Sequence, residues 1–439
     1  MGIQTRTNIG KEHIIVIGGG FAGLNFIKSI DKEKFNVTLI DRNNFHSFPP
    51  LFYQVASSGL DPASIAFPFR REMRKRHVKG VNFHMGNVSE IDFERKTVTT
   101  NLEILSYDRL VIAAGTTNNF FGNPGLRDKV YTLKSTSEAL RIRNDALDCL
   151  ERASVCTDEA MRCRLLSFVV IGGGPAGVEI AGALGEMKRY AIKRDYPSLR
   201  PEDVKIILLE GQDRVLAAMS KVSSQRALED LESLMVDVRL GVLMKDYVDN
   251  RVILSDNTEI EAAMVIWTAG ITAEPFVMKG ADLKLGPGNR FVTDCYNCVE
   301  GVENVYAIGD IGFTASKSYP KGFPQLAQVA IQQARHLAKG LNAGEFSDSF
   351  EYIDKGTMAT IGRKKAVADL KHFHLTGVIA WLAWMFIHLV SILGMRNKIT
   401  VVINWMWAYF TYNTALRLLI HTNRYPLRCR WRDEQSIKV

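Results

Sequence analysis

The hydrophobic pattern near the start of the chain predicts a strand, a helix and a second strand in close succession. Four consecutive apolar residues, 14–17, are typical of a strand that is buried on both faces of a parallel sheet. A helical pattern follows over residues 24–30, and a second apolar run, 37–40, ends in Asp41. Glycines fill the turn between the first strand and the helix. The pattern therefore indicates a βαβ unit, which is typical of α/β folds with parallel sheets.

The spacing of the glycines in this turn has a mechanical reason. Gly18 permits a tight turn, Gly20 lets backbone N–H groups approach a pyrophosphate, and Gly23 lets the helix pack closely on the strand. A pyrophosphate would then lie at the positive N-terminal end of the helix. Asp41 is placed to accept hydrogen bonds from a ribose hydroxyl. The unit therefore predicts a dinucleotide site.

The same pattern recurs in the middle of the chain. An apolar run leads into Gly172, Gly174 and Gly177 and then into a second helix. A further apolar strand ends in Glu210, after an insertion of about twenty residues relative to the usual spacing. An internal duplication of this kind predicts two dinucleotide sites. Because Glu210 would repel a 2′-phosphate and bind a free 2′-hydroxyl, the second site favours NADH over NADPH.

Three further buried strands complete the two units. Two of them end in small residues followed by Gly115 and Gly270, which suits a close approach of the backbone to a bound cofactor. The third delivers Gly309 and Asp310 at its carboxyl end, where the aspartate could hold a ribityl chain or cap the next helical turn. We therefore expect a fold with two Rossmann-like dinucleotide-binding domains.

The C-terminal segment, residues 371–439 and called the tail below, differs from the rest of the chain in charge and composition. It holds nine of the 55 Lys and Arg but only two of the 47 Asp and Glu, so most of the formal charge of +8 lies there. Five of the six tryptophans also lie in it. Basic chains often bind nucleic acid, but a segment that is also apolar and rich in Trp indicates a membrane surface. We therefore expect a lipid bilayer and no nucleic acid as partner.

Two runs of the tail, residues 372–395 and 399–416, contain no Lys, Arg, Asp or Glu and are each long enough to span a bilayer at about 1.5 Å per residue. The link between them carries Arg396 and Lys398. A hairpin with both ends in the cytoplasm would place these charges outside, against the usual distribution of positive charge. Helices that lie in the interface meet no such objection. We expect monotopic or shallow re-entrant attachment, with spanning as the alternative.

Taken together, the motifs resemble those of the two-dinucleotide flavoproteins and, among these, of the type II NADH:quinone oxidoreductases. The resemblance covers about residues 12–365 and rests on IGGGFAG, DRNNFHSFPPLFYQVA, AAGTT, IGGGPAGVE, WTAG, AIGD and AQVAIQQA. The glycine loops and AIGD indicate the superfamily. The segments PLFYQVA and AQVAIQQA, together with the apolar tail, indicate the quinone-reducing family within it.

The resemblance implies one non-covalently bound FAD and a division of the chain by ligand. The residues implied at FAD are Gly18, Gly20, Gly23, Asp41, Gly309 and Asp310. Those implied at NADH are Gly172, Gly174, Gly177 and Glu210. The domains expected on this basis are an FAD-binding domain in two parts, 1–130 and 286–368, an NADH-binding domain at 131–285, and membrane-attachment helices at 369–439. No metal site is expected.

Three side chains are implied in the reaction itself. In the family, the position of Glu179 lies close to the nicotinamide and flavin rings, although an acid there could also simply stabilise a helix N-terminus. The quinone site of the family corresponds to AQVAIQQA. Gln328 and Gln332 in this motif are four residues apart, so they share a helix face and could present amide groups to a quinone carbonyl.

The implied reaction is hydride transfer from NADH to FAD followed by reduction of a membrane quinone to quinol, without proton pumping. The implied location is the cytoplasmic face of the bacterial inner membrane. The sequence does not distinguish ubiquinone from menaquinone, and it leaves the oligomeric state open, with a homodimer as one option. A membrane-tethered flavoprotein that senses NADH with little turnover is an alternative from another functional class.

A cysteine pair provides a further alternative within the superfamily. Sulfide:quinone and disulfide-type flavin oxidoreductases need a redox-active pair, and Cys295 and Cys298 have the C-x-x-C spacing. The pair lies just before AIGD rather than after a glycine-rich helix, so we interpret it as incidental. His46, in an aromatic-rich loop, also suggests chemistry, but a single histidine in such a loop is more often structural.

Overall fold

The computed structural model describes residues 10–371, 373–411 and 416–419. The chain divides into two compact units, each assembled from three segments. Unit 1 consists of Met1–Ser47, Phe67–Thr117 and Ile271–Lys355. Unit 2 consists of Phe48–Ala66, Asn118–Gly270 and Gly356–Val439. Each unit contains one of the two predicted βαβ repeats.

Unit 1 is built on a five-stranded parallel sheet. Its strands, in spatial order, are Val305–Ala307, Arg109–Ile112, Glu12–Ile17, Phe35–Asp41 and Val81–Met85. Residues 14–17 of the central strand are at most 4% exposed, as expected of a strand covered on both faces. The helix Phe21–Ser29 connects the first two strands in sequence, and the helix Ala327–Ala343 packs beside it. The predicted strand, helix and strand are confirmed.

The remaining elements of unit 1 are short and lie outside this sheet. A four-stranded sheet is formed by Val277–Lys279, Val88–Asp92, Thr97–Thr100 and Ile104–Ser106. A three-stranded sheet is formed by Leu285–Gly286, Arg290–Thr293 and Gly312–Thr314. Smaller pieces are Phe45–Ser47, Phe69–Glu72, Ile271–Ala273, Pro287–Asn289 and Gly309–Ile311. Between the first two sheets lies a core that includes Ile15, Ile112 and Phe93.

Unit 2 repeats the five-stranded parallel sheet. Its strands, in spatial order, are Tyr131–Thr132, Met264–Trp267, Ser167–Ile171, Lys205–Glu210 and Val236–Leu240. The helix Pro175–Glu186 follows the glycine turn, as predicted. The insertion before the next strand consists of a π-helical stretch, Met187–Ile192, a short turn, Lys193–Asp195, and a 3-10 turn, Pro201–Asp203. The insertion therefore lengthens the crossover and leaves the sheet register unchanged.

The other elements of unit 2 surround this sheet. Its remaining helices and turns are Pro49–Leu51, Phe52–Ala56, Pro62–Ile65, Pro124–Asp128, Thr136–Val155, Glu159–Leu165 and Lys221–Ser233. A three-stranded sheet is formed by Met244–Val248, Arg251–Leu254 and Glu259–Glu261, and a second by Thr357–Gly362, Lys365–Asp369 and His374–Thr376. The tail adds the helices Gly377–Ser391 and Met395–Thr411.

The two tail helices expose much of their apolar surface. Phe386 is 68% exposed and Phe410 is 75% exposed, and several other large apolar side chains of these helices are exposed as well. Within the described ranges, no helix combines the length and the apolar character that crossing a bilayer requires. The predicted runs also include residues 372 and 412–415, and the tail includes Trp431, all of which lie outside the described residues.

Candidate functional site

The first glycine turn has the geometry that its spacing predicts. Gly18 adopts a φ of +96°, and a Cβ there would collide with the carbonyl of Ala113. A Cβ on Gly23 would collide with the carbonyl oxygen of Gly18, so this glycine lets the helix approach the turn. Gly20 precedes the helix Phe21–Ser29, and a Cβ on it would meet no atom within 4 Å. The turn is therefore packed on its inner side and open in front of the helix N-terminus.

Asp41 lies beside this open turn at the end of its strand. Its Oδ2 accepts a hydrogen bond from the N–H of Gly19 at 2.7 Å, and its Oδ1 accepts one from the N–H of Asn43 at 2.7 Å. Burial raises the pKa of Asp41, and these two hydrogen bonds oppose the rise. The carboxylate is thus fixed next to the turn, where it could also accept from a ribose hydroxyl.

The AIGD segment lies at the same carboxyl end of the sheet, after the edge strand Val305–Ala307. Gly309 has a φ of +75°, and a Cβ there would press on Ala22 and Ala330, so the segment lies against the first helix. The N–H of Gly309 donates to Oε1 of Gln333 at 2.8 Å. Unit 1 therefore brings Gly309 and the neighbouring Asp310 together with the first glycine turn.

Gly115 lies at the carboxyl end of a strand that neighbours the first strand of the sheet. It has a φ of +71°, and a Cβ there would meet no atom within 4 Å. Its carbonyl accepts from the N–H of Glu274 at 3.2 Å. The space in front of Gly115 is therefore open, as the predicted approach to a cofactor requires.

The second glycine turn is built in the same way within unit 2. Gly172 has a φ of +106°, a Cβ on Gly177 would collide with the carbonyl oxygen of Gly172, and a Cβ on Gly174 would meet no atom within 4 Å. The carboxylate of Glu210 accepts a hydrogen bond from the N–H of Gly173. It accepts another from the N–H of Gln212, at 2.8 Å. The two turns thus share both the packing of their glycines and the placement of their acid.

Gly270 differs from Gly115, its counterpart in the other unit. A Cβ on Gly270 would collide with the ring of Phe121. A glycine at position 270 therefore leaves room for the Phe121 ring. Its predicted contact with a dinucleotide stays a prediction.

Glu179 lies on the helix Pro175–Glu186, five residues after the open Gly174. Its carboxyl accepts a hydrogen bond from the backbone N–H of Thr360, and burial raises its pKa to about 8. Burial, together with the nearby Glu179 carboxyl, also raises the pKa of Tyr53. At neutral pH the carboxyl is therefore mostly protonated. A protonated acid does little to stabilise a helix N-terminus, but it can donate a proton.

The two glutamines of AQVAIQQA contact the segment that ends unit 1. Gln332 both accepts from the N–H of Ile353 at 3.0 Å and donates to its carbonyl at 2.9 Å. Gln328 accepts from the N–H of Lys355 at 3.1 Å through Oε1. The oxygen and the NH2 of the Gln332 amide are therefore both engaged by one residue of the protein. Contact of either glutamine with a quinone stays a prediction.

Unit 2 contains a cavity of about 170 Å³ that the sequence did not reveal. Its lining includes the aromatic or apolar residues Tyr53, Ala183, Met187, Tyr190, Ala191, Ile361, Trp381, Trp384, Met385, Trp405 and Ala408. Its polar lining includes Gln54, Ser57, Glu186, Thr360, Arg363 and Arg417. A lining of aromatic and apolar side chains with some polar groups is typical of a site for a small organic molecule.

The segment PLFYQVA supplies one wall of this cavity and the tail supplies another. The indole N–H of Trp405 donates to Oε1 of Gln54 at 2.8 Å, and the amide of Gln54 donates to the hydroxyl of Tyr53 at 2.7 Å. PLFYQVA contributed to the resemblance, but its sequence alone gave no role for Tyr53 or Gln54. The hydrogen-bonded chain shows that these residues join the tail to the body of unit 2.

Trp384 also lines the cavity, although the Trp-rich composition of the tail indicated a membrane surface. It is 1% exposed and stacks on His388 with ring centroids 4.0 Å apart. Its indole N–H meets no hydrogen-bond acceptor in the part of the chain that the structure describes. Burial against the body of unit 2 competes with placement at a membrane surface, and at Trp384 burial prevails.

The cysteine pair shows no sign of special reactivity. Cys295 is exposed, Cys298 is partly buried, and both carry free thiols. Burial and the neighbouring acids Asp294 and Glu303 raise the pKa of Cys298, which lowers the fraction of reactive thiolate. The geometry therefore agrees with an incidental C-x-x-C spacing.

Comparison with known families explains this combination of features. The model of the pyridine nucleotide-disulphide oxidoreductases matches residues 12–334, and that of the NDH2 C-terminal domain matches residues 355–411. The chain is 34% identical over 415 residues to the type II NADH:quinone oxidoreductase NdhA of Mycobacterium tuberculosis, an alignment that covers 90% of this chain and 87% of that protein. The chain belongs to the type II NADH:quinone oxidoreductase family.

Two further comparisons agree with this membership. The type II NADH:quinone oxidoreductase Ndh of the same organism is 32% identical over 413 residues, covering 90% of this chain and 87% of that protein. The structure of NDH2 from Plasmodium falciparum in complex with NADH is similar with a TM-score of 0.85 at 23% identity, and the match covers 94% of this chain and 100% of the other. The fold of the type II family therefore extends over nearly the whole chain, including the tail helices.

Proposed function

We propose that this chain is an FAD-dependent NADH:quinone oxidoreductase of the non-pumping type. It takes a hydride from NADH and reduces a membrane quinone to quinol. The observation that carries the proposal is the pair of similar glycine turns, each open in front of a helix N-terminus and each flanked by a fixed carboxylate. A chain with two dinucleotide sites can hold a flavin nucleotide in one and a nicotinamide nucleotide in the other.

We assign one FAD, bound non-covalently, to unit 1. The open space at Gly20 and Gly115 suits the close approach of a pyrophosphate and a flavin, and Asp41 suits the ribose. Asp310 would lie nearer the ribityl chain. The bound FAD supplies the group that accepts the hydride and passes the electrons to the quinone. The domain limits expected from the sequence, 1–130 and 286–368 for FAD, remain part of this proposal.

We assign NADH to the second turn, in unit 2. Gly172 and Gly177 shape the turn, Gly174 leaves room for the pyrophosphate, and Glu210 accepts from the ribose 2′-hydroxyl. A 2′-phosphate would meet the negative charge of Glu210, so NADPH would bind more weakly. Gly270 and the sequence limits 131–285 belong to the same assignment.

We place the quinone ring at the cavity of unit 2. The aromatic wall suits a flat ring, and the indole N–H of Trp384 offers a donor to a quinone carbonyl. Reduction of a quinone to quinol requires two protons. The protonated carboxyl of Glu179 is suited to donate one of them near pH 7. The family resemblance separately implies quinone contacts at Gln328 and Gln332, which belong to unit 1 and are not part of this lining.

We propose that the tail attaches the protein to the cytoplasmic face of the bacterial inner membrane without crossing it. The exposed apolar faces of the helices Gly377–Ser391 and Met395–Thr411 would enter the lipid interface. Arg396 and Lys398 would lie near anionic headgroups. The same faces would serve if the protein forms a homodimer.

Anaerobic stopped-flow spectroscopy tests the proposal. Purified protein is mixed with NADH, with NADPH in a parallel run, and the loss of oxidised flavin absorbance is recorded. A short-chain quinone is then added. Rapid bleaching by NADH and rapid recovery with quinone are expected. Bleaching without recovery would contradict quinone reduction and would favour an NADH sensor. Reoxidation of the flavin by a disulfide, or reduction of the flavin by sulfide, would favour a redox role for the cysteine pair.

A further inference from the structure

The buried His46 lies under the first glycine turn. Its Nδ1 lies 2.9 Å from the carbonyl oxygen of Gly19, and the side chain is 5% exposed. A carbonyl oxygen only accepts, so Nδ1 carries the hydrogen and donates it. Burial lowers the pKa of His46 to about 4, and the nearby Lys28 acts in the same direction. The ring is therefore neutral at physiological pH and is held in one tautomer.

Gly19 is held at its N–H, at its carbonyl and at its Cα. Its N–H donates to Asp41 at 2.7 Å, and its carbonyl accepts from His46. A Cβ on Gly19 would collide with the ring of Phe69, which is itself packed on Phe83 with centroids 5.1 Å apart. The Phe21 and His46 rings also form a T-shaped pair, with centroids 5.7 Å apart. Neither peptide group of Gly19 can therefore rotate without breaking a buried contact.

In unit 2 the equivalent residue, Gly173, is held by a different hydrogen bond at its carbonyl. The N–H of Gly173 donates to Glu210, as Gly19 donates to Asp41. The carbonyl of Gly173, however, accepts from the backbone N–H of Leu216 at 2.7 Å. A backbone donor is supplied by nearly any residue at that position. In unit 1 the same hydrogen bond depends on a single side chain.

We infer that His46 is a positioning residue for FAD: by donating to Gly19 it fixes the orientation of the turn whose N–H groups meet the pyrophosphate. The inference rests on the proposed assignment of FAD to unit 1. It gives His46 a role that needs no contact with the reacting rings. A turn that is already in the bound orientation loses less conformational freedom when the dinucleotide binds.

Two substitutions at His46 separate this role from simple packing. His46→Asn places an amide N–H near the position of Nδ1, whereas His46→Gln places it near Nε2, away from the Gly19 carbonyl. The dissociation constant of FAD is measured by titrating flavin-free protein and following flavin fluorescence. We expect His46→Gln to raise it about tenfold, the effect of about 1.4 kcal/mol, and His46→Asn to raise it by less than about threefold.

His13→Leu is the matched control. This histidine belongs to the same unit, and its ring is also hydrogen-bonded, to the Ser106 carbonyl at 2.9 Å and the Thr38 hydroxyl at 2.8 Å, but it does not contact the turn. It should leave the FAD dissociation constant within about twofold of wild type. Equal FAD binding by the two His46 variants, or equal loss in His13→Leu, would overturn the inference. A wild-type protein that binds no FAD would instead refute the proposed function.

Discussion

The raised pKa of Glu179 leads to a quantitative prediction for the quinone step. With a pKa of about 8, the carboxyl is about 90% protonated at pH 7 and about 10% protonated at pH 9. If this carboxyl donates a proton to the quinone, the rate of flavin reoxidation by quinone should fall about tenfold between these pH values. Glu179→Gln keeps the size of the side chain but cannot titrate. Its rate should be lower by about 100-fold at pH 7 and nearly independent of pH.

The assay is stopped-flow reoxidation of the reduced flavin by a short-chain quinone at pH 6 to 9. Ferricyanide serves as a parallel acceptor because it takes up electrons without protons, so its rates should show no corresponding loss in either protein. Glu229→Gln, which removes an exposed acid from a helix of the same unit, should behave as wild type. A flat wild-type profile, or a profile that persists unchanged in Glu179→Gln, would refute a proton-donating role for Glu179.

The same pKa shift has a consequence for stability. The folded state favours the protonated carboxyl, since the pKa rises from its ordinary value of 4.5 to about 8. The corresponding stabilisation is fully present below pH 4.5 and is lost as the pH rises through about 8. The melting temperature of wild type should therefore fall between pH 6 and 9 more steeply than that of Glu179→Gln. Equal slopes would contradict the shift itself.

Three further predictions concern the other parts of the proposed site. Gly177→Ala should weaken NADH binding about 10- to 100-fold while FAD stays bound, because a Cβ there collides with the Gly172 carbonyl oxygen. Titration with NADH, followed by the bleaching of the flavin, measures the affinity. Unchanged NADH binding would contradict the prediction. Glu210→Gln should raise the rate with NADPH relative to NADH, and an unchanged ratio in steady-state assays would argue against the ribose contact. Trp384→Phe keeps an aromatic ring but removes the indole N–H, which meets no acceptor among the described residues. The KM for quinone should therefore rise about fivefold, and an unchanged KM would remove Trp384 from the quinone site.

The sequence predicted those features that depend on residues close together in the chain. The strand, turn and helix around Gly18 and around Gly172 follow from spacing and periodicity, because each glycine is needed by its immediate neighbours. His46 could not be assigned in this way. Its partner, Gly19, lies 27 residues away, and only the folded sheet brings the two together.

For the tail, the sequence predicted apolar character but not which side chains are buried. Composition indicated an apolar, membrane-facing segment, and much of its surface is indeed apolar and exposed. The same composition is equally suited to filling a cavity wall, as Trp384 does. Hydrophobicity specifies that a side chain avoids water, but it does not specify whether lipid or protein replaces the water. For Trp384 that choice depends on PLFYQVA, more than 300 residues earlier in the chain, whose Tyr53 ring contacts the indole.

The hydrogen-bonded chain from Trp405 through Gln54 to Tyr53 affects the design of a variant that needs no detergent, because it ties the tail to the cavity. Deleting the tail would remove an apolar surface, but it would also remove one wall of the cavity and leave the amide of Gln54 without its indole donor. A truncated protein should therefore lose quinone reduction along with its affinity for lipid. Replacing outward side chains such as Phe386 and Phe410 by polar ones, while keeping Trp384 and Trp405, would separate solubility from catalysis.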